Sequence, residues 1–252
     1  MQLLLAVLSA GALASACAQS EAPLLPSNLS APTASSSTSA SSNNASAFAR
    51  DSKQPSLVGE RVVIKNPTLA QLRETGPLED RTLGDPGAPV TMIEYGSWTC
   101  PHCRAFRQKT WPAFKRAYVD TGKVFYILRE FPIGRSSGNA ALVTRCAPKS
   151  KYFRLYDLYL KHQAEWVSQD VRPDKIFAVA GRAGMSRATF NACLKDEKLI
   201  AGINWQKNRG RELGVIGTPT FFINQTHVRS FKTMAEMRAI VDPMLAARTA
   251  SN

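Results

Sequence analysis

Thr99-Cys100-Pro101-His102-Cys103 sets two cysteines with two residues between them. An apolar run, Val90 to Tyr95, precedes the stretch, and a segment with helical spacing follows it. This order puts the first sulfur at a helix N-terminus, where unpaired backbone N–H groups and the helix dipole favour a thiolate. Pro101 suits the first turn, because its missing N–H would have no partner there anyway. Such a pair suits thiol–disulfide redox chemistry. Half of a metal site is the alternative, against which no other Cys/His cluster has ligand spacing.

Downstream, Phe106, Trp111, Phe114 and Tyr118 give one apolar helical face, predicting a helix from Pro101 to Tyr118 with a kink at Pro112. Thr121-Gly122 ends it, and Lys123 to Phe131 is a second strand. A strand–helix–strand unit of this length implies a parallel pair. Residues 136–213 read as a helical block. Its segments are Tyr152 to Trp166, Asp174 to Gly181, one capped by Ser186 that carries Phe190 and Cys193, and one near Leu199 to Leu213. Gly217-Thr218-Pro219-Thr220-Phe221-Phe222-Ile223-Asn224 is a turn feeding an apolar strand, with His227 to Phe231 as its hairpin partner. Thr233-Met-Ala-Glu236 is a capping box opening a last helix to Ala247, and Pro243 inside it is a candidate early stop.

Upstream, residues 2–16 form an apolar core followed by small residues, as in an export signal without its basic start. Ala14-Ser15-Ala16 fits a cleavage site, and Ala14-Ser15-Ala16-Cys17 also resembles a lipoprotein box with Cys17 as the lipidated residue. Residues 18–55 are rich in Ser, Ala, Asn and Pro and hold too little apolar surface to offset ordering, so they read as a flexible linker. Residues 56–84 are a lead-in with a short helix at Thr68 to Glu74, closed by the turn cluster Asp85-Pro86-Gly87-Ala88-Pro89. The net charge of +13 lies wholly beyond residue 55, since Glu21, Arg50, Asp51 and Lys53 cancel. No nucleic-acid motif accompanies it, so the basic surface reads as solubilising and suited to anionic envelope lipids.

The strand–Cys-x-x-Cys–helix unit together with Thr218-Pro219 before a strand resembles the thioredoxin superfamily, an α/β fold. The helical block lies between the second core strand and the proline strand, the layout of its DsbA-type disulfide oxidoreductases. Cys-Pro-His-Cys, Glu94 six residues before Cys100, Arg129-Glu-Phe-Pro132 and the Gly217–Asn224 run carry the resemblance, which covers about residues 85–250. It implies Cys100 as nucleophile, Cys103 as its buried partner, and Pro101 and His102 as the residues that tune them. It implies Glu94 as a proton shuttle, with a structurally paired acid as the alternative. It implies a cis-proline at Pro219 that borders Cys100 and, with Thr218, offers backbone groups to an extended substrate.

In an oxidising compartment Cys146 and Cys193 are expected to pair, two buried thiols being the alternative. The expected function is disulfide donation to exported, reduced proteins in the periplasm or cell envelope, by a monomer without a cofactor or metal. A membrane quinone-linked partner would reoxidise it. A reductase or isomerase on the same scaffold, or a non-catalytic metal or cofactor carrier, are the alternatives.

Overall fold

The computed structural model describes residues 63–231 and 233–249. The export signal, Cys17, the 18–55 linker and the start of the lead-in lie outside the described residues. The elements run α1 (Leu69–Arg73), β1 (Arg81–Leu83), β2 (Val90–Gly96), a long helix α2 (residues 101–119), β3 (Val124–Glu130), six helices or short helical turns, and a β-hairpin with a closing helix. The six are α3 (Gly134–Cys146), α4 (Lys149–Lys161), α5 (Gln163–Trp166), α6 (Pro173–Arg182), α7 (Arg187–Cys193) and α8 (Glu197–Glu212). The chain then forms β4 (Thr220–Ile223), β5 (Thr226–Val228) and α9 (Met234–Thr249).

The five strands are ordered β1-β3-β2-β4-β5. β2 and β3 pair in parallel, Glu94 beside Leu128, and the other contacts are antiparallel, Glu94 beside Phe221. This is the thioredoxin fold with a helical insertion between the second core strand and the proline strand. All seven residues of β2 and of β3 are buried, as expected of strands covered on both faces. Side chains alternate across the sheet. Val90, Met92, Tyr126, Leu128, Phe221 and Ile223 pack towards α2 and the insertion, while Ile93, Tyr95, Phe125, Ile127 and Phe222 form a second core on the other face. Glu94 shares the parity of Met92, so its carboxyl is forced beneath α2.

The structure adds detail at Pro112 and departs from expectation at Pro243. Pro112 does not break α2. The helix widens instead into π-type turns at Phe106–Thr110 and Lys115–Val119, with Trp111 donating to the Phe106 carbonyl five residues back. The wider turns accommodate the proline ring and its missing donor without ending the helix. Pro243 does not stop α9 early, because the helix continues to Thr249. The insertion also begins at Gly134, two residues before the expected start.

From residue 63 onward the lead-in packs into the fold. β1 closes the sheet edge beside β3. Thr68 and Gln71 form a capping box on α1. Arg129, 1% exposed, reaches back with paired hydrogen bonds to the Asp80 carboxylate (2.9 and 3.0 Å) and a third to the Leu72 carbonyl. Gly202 leaves room for Leu78, whose Cγ lies 2.2 Å from where a Cβ would sit.

Candidate active site

Cys100 is the N-cap of α2 and Pro101 opens its first turn. As a thiol, Cys100 makes no side-chain cap bond, but its Sγ donates to the Thr218 carbonyl at 3.1 Å. The thiolate finds donors in the Cys103 thiol, the Thr218 hydroxyl and the backbone N–H groups of Cys103 and His102. The first of these is the largest cause, and together they outweigh burial and hold Cys100 down at about 5. What His102 gives the sulfur is its main-chain N–H, while its side chain is exposed. Cys103 is fully buried, and burial pushes its thiol well above the ordinary cysteine value. The two sulfurs are not bonded to each other, so this is the dithiol form. The Thr218–Pro219 peptide is cis. It is placed by β4, whose Phe221 packs on Phe106 of α2 with ring centroids 4.8 Å apart.

Glu94 lies below the pair with no exposure. Its Oε2 accepts from the Tyr126 hydroxyl at 2.7 Å, and its Oε1 has no protein partner. Burial raises it to about 7, against the pull of the Tyr126 hydrogen bond and of the Arg107 charge. A carboxyl poised there can give a proton to a thiolate or take one from a thiol near neutrality.

Several residues that hold the loop before Cys100 went unnoticed in the sequence. Gln163 Nε2 donates to the carbonyls of Trp98 (2.9 Å) and Cys100 (3.0 Å). Ser137 Oγ accepts from the Trp98 N–H at 3.1 Å, and Trp98 Nε1 donates to Thr144 Oγ1 at 2.9 Å. All three come from the insertion and are buried. Only Thr144, beside the apolar run Ala140 to Val143, carried a signal, since buried polar groups demand partners; Ser137 and Gln163 stand among other polar residues. Cys146 and Cys193 are bonded, joining the ends of α3 and α7 with Cα atoms 5.8 Å apart. They sit in the insertion, apart from the Cys100 pair. Among the described residues no group of three or more His, Cys, Asp or Glu could hold a metal ion, and no helix is long and apolar enough to cross a membrane.

A family model described as thioredoxin matches residues 77–243. The chain belongs to the thioredoxin family. Its DsbA-like character comes from its neighbours. Wolbachia pipientis alpha-DsbA1 superposes with a TM-score of 0.66 at 27% identity, covering 72% of this chain and 98% of that one. A Rickettsia conorii protein named as a protein-disulfide oxidoreductase is 31% identical over 167 residues, covering 64% of this chain and 59% of the relative. Disulfide bond formation protein D of Bacillus subtilis is 22% identical over 174 residues, covering 66% of this chain and 77% of the relative. This thioredoxin-family chain thus spans about three fifths of its rickettsial relative's length. The match begins at residue 77, ahead of β1, in keeping with a lead-in that belongs to the fold.

Proposed function

We propose that this protein is a thiol:disulfide oxidoreductase that donates the Cys100–Cys103 disulfide to exported proteins. The observation that carries this is the asymmetry of the pair, one sulfur held at about 5 and the other buried and held high. Stabilising the Cys100 thiolate stabilises the dithiol, so the disulfide is oxidising. The names of the Rickettsia and Bacillus relatives support the same chemistry.

A substrate thiolate attacks Cys100 Sγ. The Cys100–Cys103 bond breaks, and its electron pair leaves on Cys103 Sγ, which takes a proton from Glu94. A second substrate thiolate then attacks the substrate sulfur of the mixed disulfide. Cys100 leaves as a thiolate, held by the donors at the start of α2 and by Thr218. Two substrate thiols have become one disulfide, and the enzyme is the dithiol. Reoxidation runs the pair in reverse, with Glu94 accepting the Cys103 proton. The main chain at Thr218-Pro219, beside Cys100, is where an extended substrate segment docks. An export signal ending near Cys17, the 18–55 linker and a quinone-linked membrane reoxidant fit an envelope enzyme acting as a monomer, with Cys17 as a candidate anchor.

The reduction potential, measured against glutathione, tests this. We expect a value well above the roughly −270 mV of thioredoxin, and a value at or below it sinks the donor reading. Cys100→Ser should abolish oxidation of a reduced test protein, and retained activity removes Cys100 from the role.

A further inference from the structure

Arg107 is an arginine where a core residue belongs. It stands four residues after Cys103 on α2, and its side chain is 5% exposed. Its guanidinium carbon lies 4.3 Å from the Trp111 ring centroid and 5.5 Å from that of Tyr156. Trp111 in turn packs on Tyr126, centroids 4.2 Å apart, and Tyr126 holds Glu94. Arg107 Nε donates to Asp157 Oδ1 at 2.5 Å, and Asp157 is half exposed, opening on a cleft between α2 and α4 lined also by Lys115, Arg116 and Lys161.

Three buried polar atoms of these side chains have no hydrogen-bond partner among the described residues: Arg107 Nη1, Glu94 Oε1 and the Tyr156 hydroxyl. The last two lie 3.4 and 2.9 Å from where a Cβ on Gly96 would sit, so they face one small space that the glycine leaves open. A charge this deep costs several kcal/mol unless it is compensated. Asp157 compensates the guanidinium at Nε, and Nη1 is left without a hydrogen-bond partner beside the Trp111 and Tyr156 rings.

We propose that Arg107 is a positioning residue that, held by Asp157, sets how readily Glu94 releases its proton. The inference rests on Glu94 being the proton carrier for Cys103. The groups facing Glu94 are Tyr126 from β3, Arg107, Cys100 and Cys103 from α2 and its start, and Tyr156 and Asp157 from α4. Only Arg107 among them brings a positive charge. Burial favours the protonated Glu94 carboxyl, and the Tyr126 hydrogen bond and the arginine charge each offset part of that. Asp157 acts in the opposite sense on Glu94 while fixing the guanidinium.

The two neighbours therefore carry opposite signatures. The test is an infrared titration of the Glu94 carboxyl in the full-length dithiol protein, its band assigned by its loss in Glu94→Gln. Arg107→Met should move the midpoint up by about one pH unit or more. Asp157→Asn should move it down, and Arg107→Lys, which keeps the charge, should hold it near the wild-type value. A midpoint that stays or falls in Arg107→Met, or rises in Asp157→Asn, overturns the proposal. If Arg107→Met does not fold, the half-exposed Asp157 variant and the lysine variant decide alone. Turnover against pH in Glu94→Gln separates the two readings. An unchanged profile removes Glu94 from catalysis and leaves the effect of Arg107 on its proton to be judged from the infrared midpoints.

Discussion

Cys100 shows how little a side chain needs to change its chemistry when the backbone is arranged around it. The sulfur occupies an N-cap position that a serine or aspartate oxygen would ordinarily fill. The thiolate takes over that capping role, and the Thr218 hydroxyl, otherwise buried without a partner, becomes a further donor to it. Because Cys100 is held at about 5, its thiolate should predominate at neutral pH and be lost only as pH falls through about 5. Removing the Thr218 donor leaves burial opposed by fewer hydrogen bonds. Thr218→Val should therefore raise the midpoint of thiolate absorbance towards the ordinary cysteine value and make the disulfide less oxidising, since the dithiol loses stabilisation. A midpoint unmoved or lowered in that variant would exclude the Thr218 hydroxyl as a donor. The core at this site was only partly legible in the sequence. Glu94 could be singled out as an acid inside an apolar run. Arg107 could not, because an arginine on a helix that also carries Arg104 and Lys109 looks like solvent-facing charge until the fold shows its guanidinium among Trp111, Phe153 and Tyr156.

At the scale of elements, the insertion does more than lengthen the chain between β3 and β4. α3 and α5 hold the loop before the cysteines through Ser137, Thr144 and Gln163. α3 is itself locked to β3 by Arg145, whose guanidinium pairs with buried Glu130 at 2.8 and 2.5 Å, with Tyr152 donating to the same carboxylate. The Cys146–Cys193 bond joins the C-terminal ends of α3 and α7, with a sequence separation of 47 residues. On the chain-entropy account, replacing both cysteines by alanine should lower stability by about 4 kcal/mol. Chemical denaturation of the double variant checks this, and a loss below about 1 kcal/mol would mean that the insertion is held by its packing alone. The helices themselves were readable from apolar spacing and from caps such as Ser186, whose Oγ accepts from the Thr189 N–H at 3.1 Å. The π-type turns around Pro112 were not, because sequence spacing assumes a 3.6-residue period and a proline announces only that something must give.

For the molecule as a whole, the catalytic sheet is completed by residues that precede its recognisable motifs. β1 and the Asp80–Arg129 pair bind the lead-in to the centre of the fold, and Arg129 also receives Leu72 and Tyr95 as partners. Asp80→Ala would strand the guanidinium in a site where it is 1% exposed. It should cost about 3–5 kcal/mol, readable as a lower Tm. A variant as stable as the parent would show that the lead-in contributes little. The amino-acid sequence by itself determined the strand–helix–strand unit, the cysteine pair, the acid behind it and the proline strand. Those features are local: period, capping and turn chemistry act over a few residues, so they can be read from a few residues. Tertiary structure alone decided that β1 joins the sheet, that Gln163 reaches Cys100 across 63 positions, and that Arg107 is buried against Trp111 and Tyr156. These depend on which faces meet, and a buried polar group is recognised only when its partner arrives from a distant part of the chain.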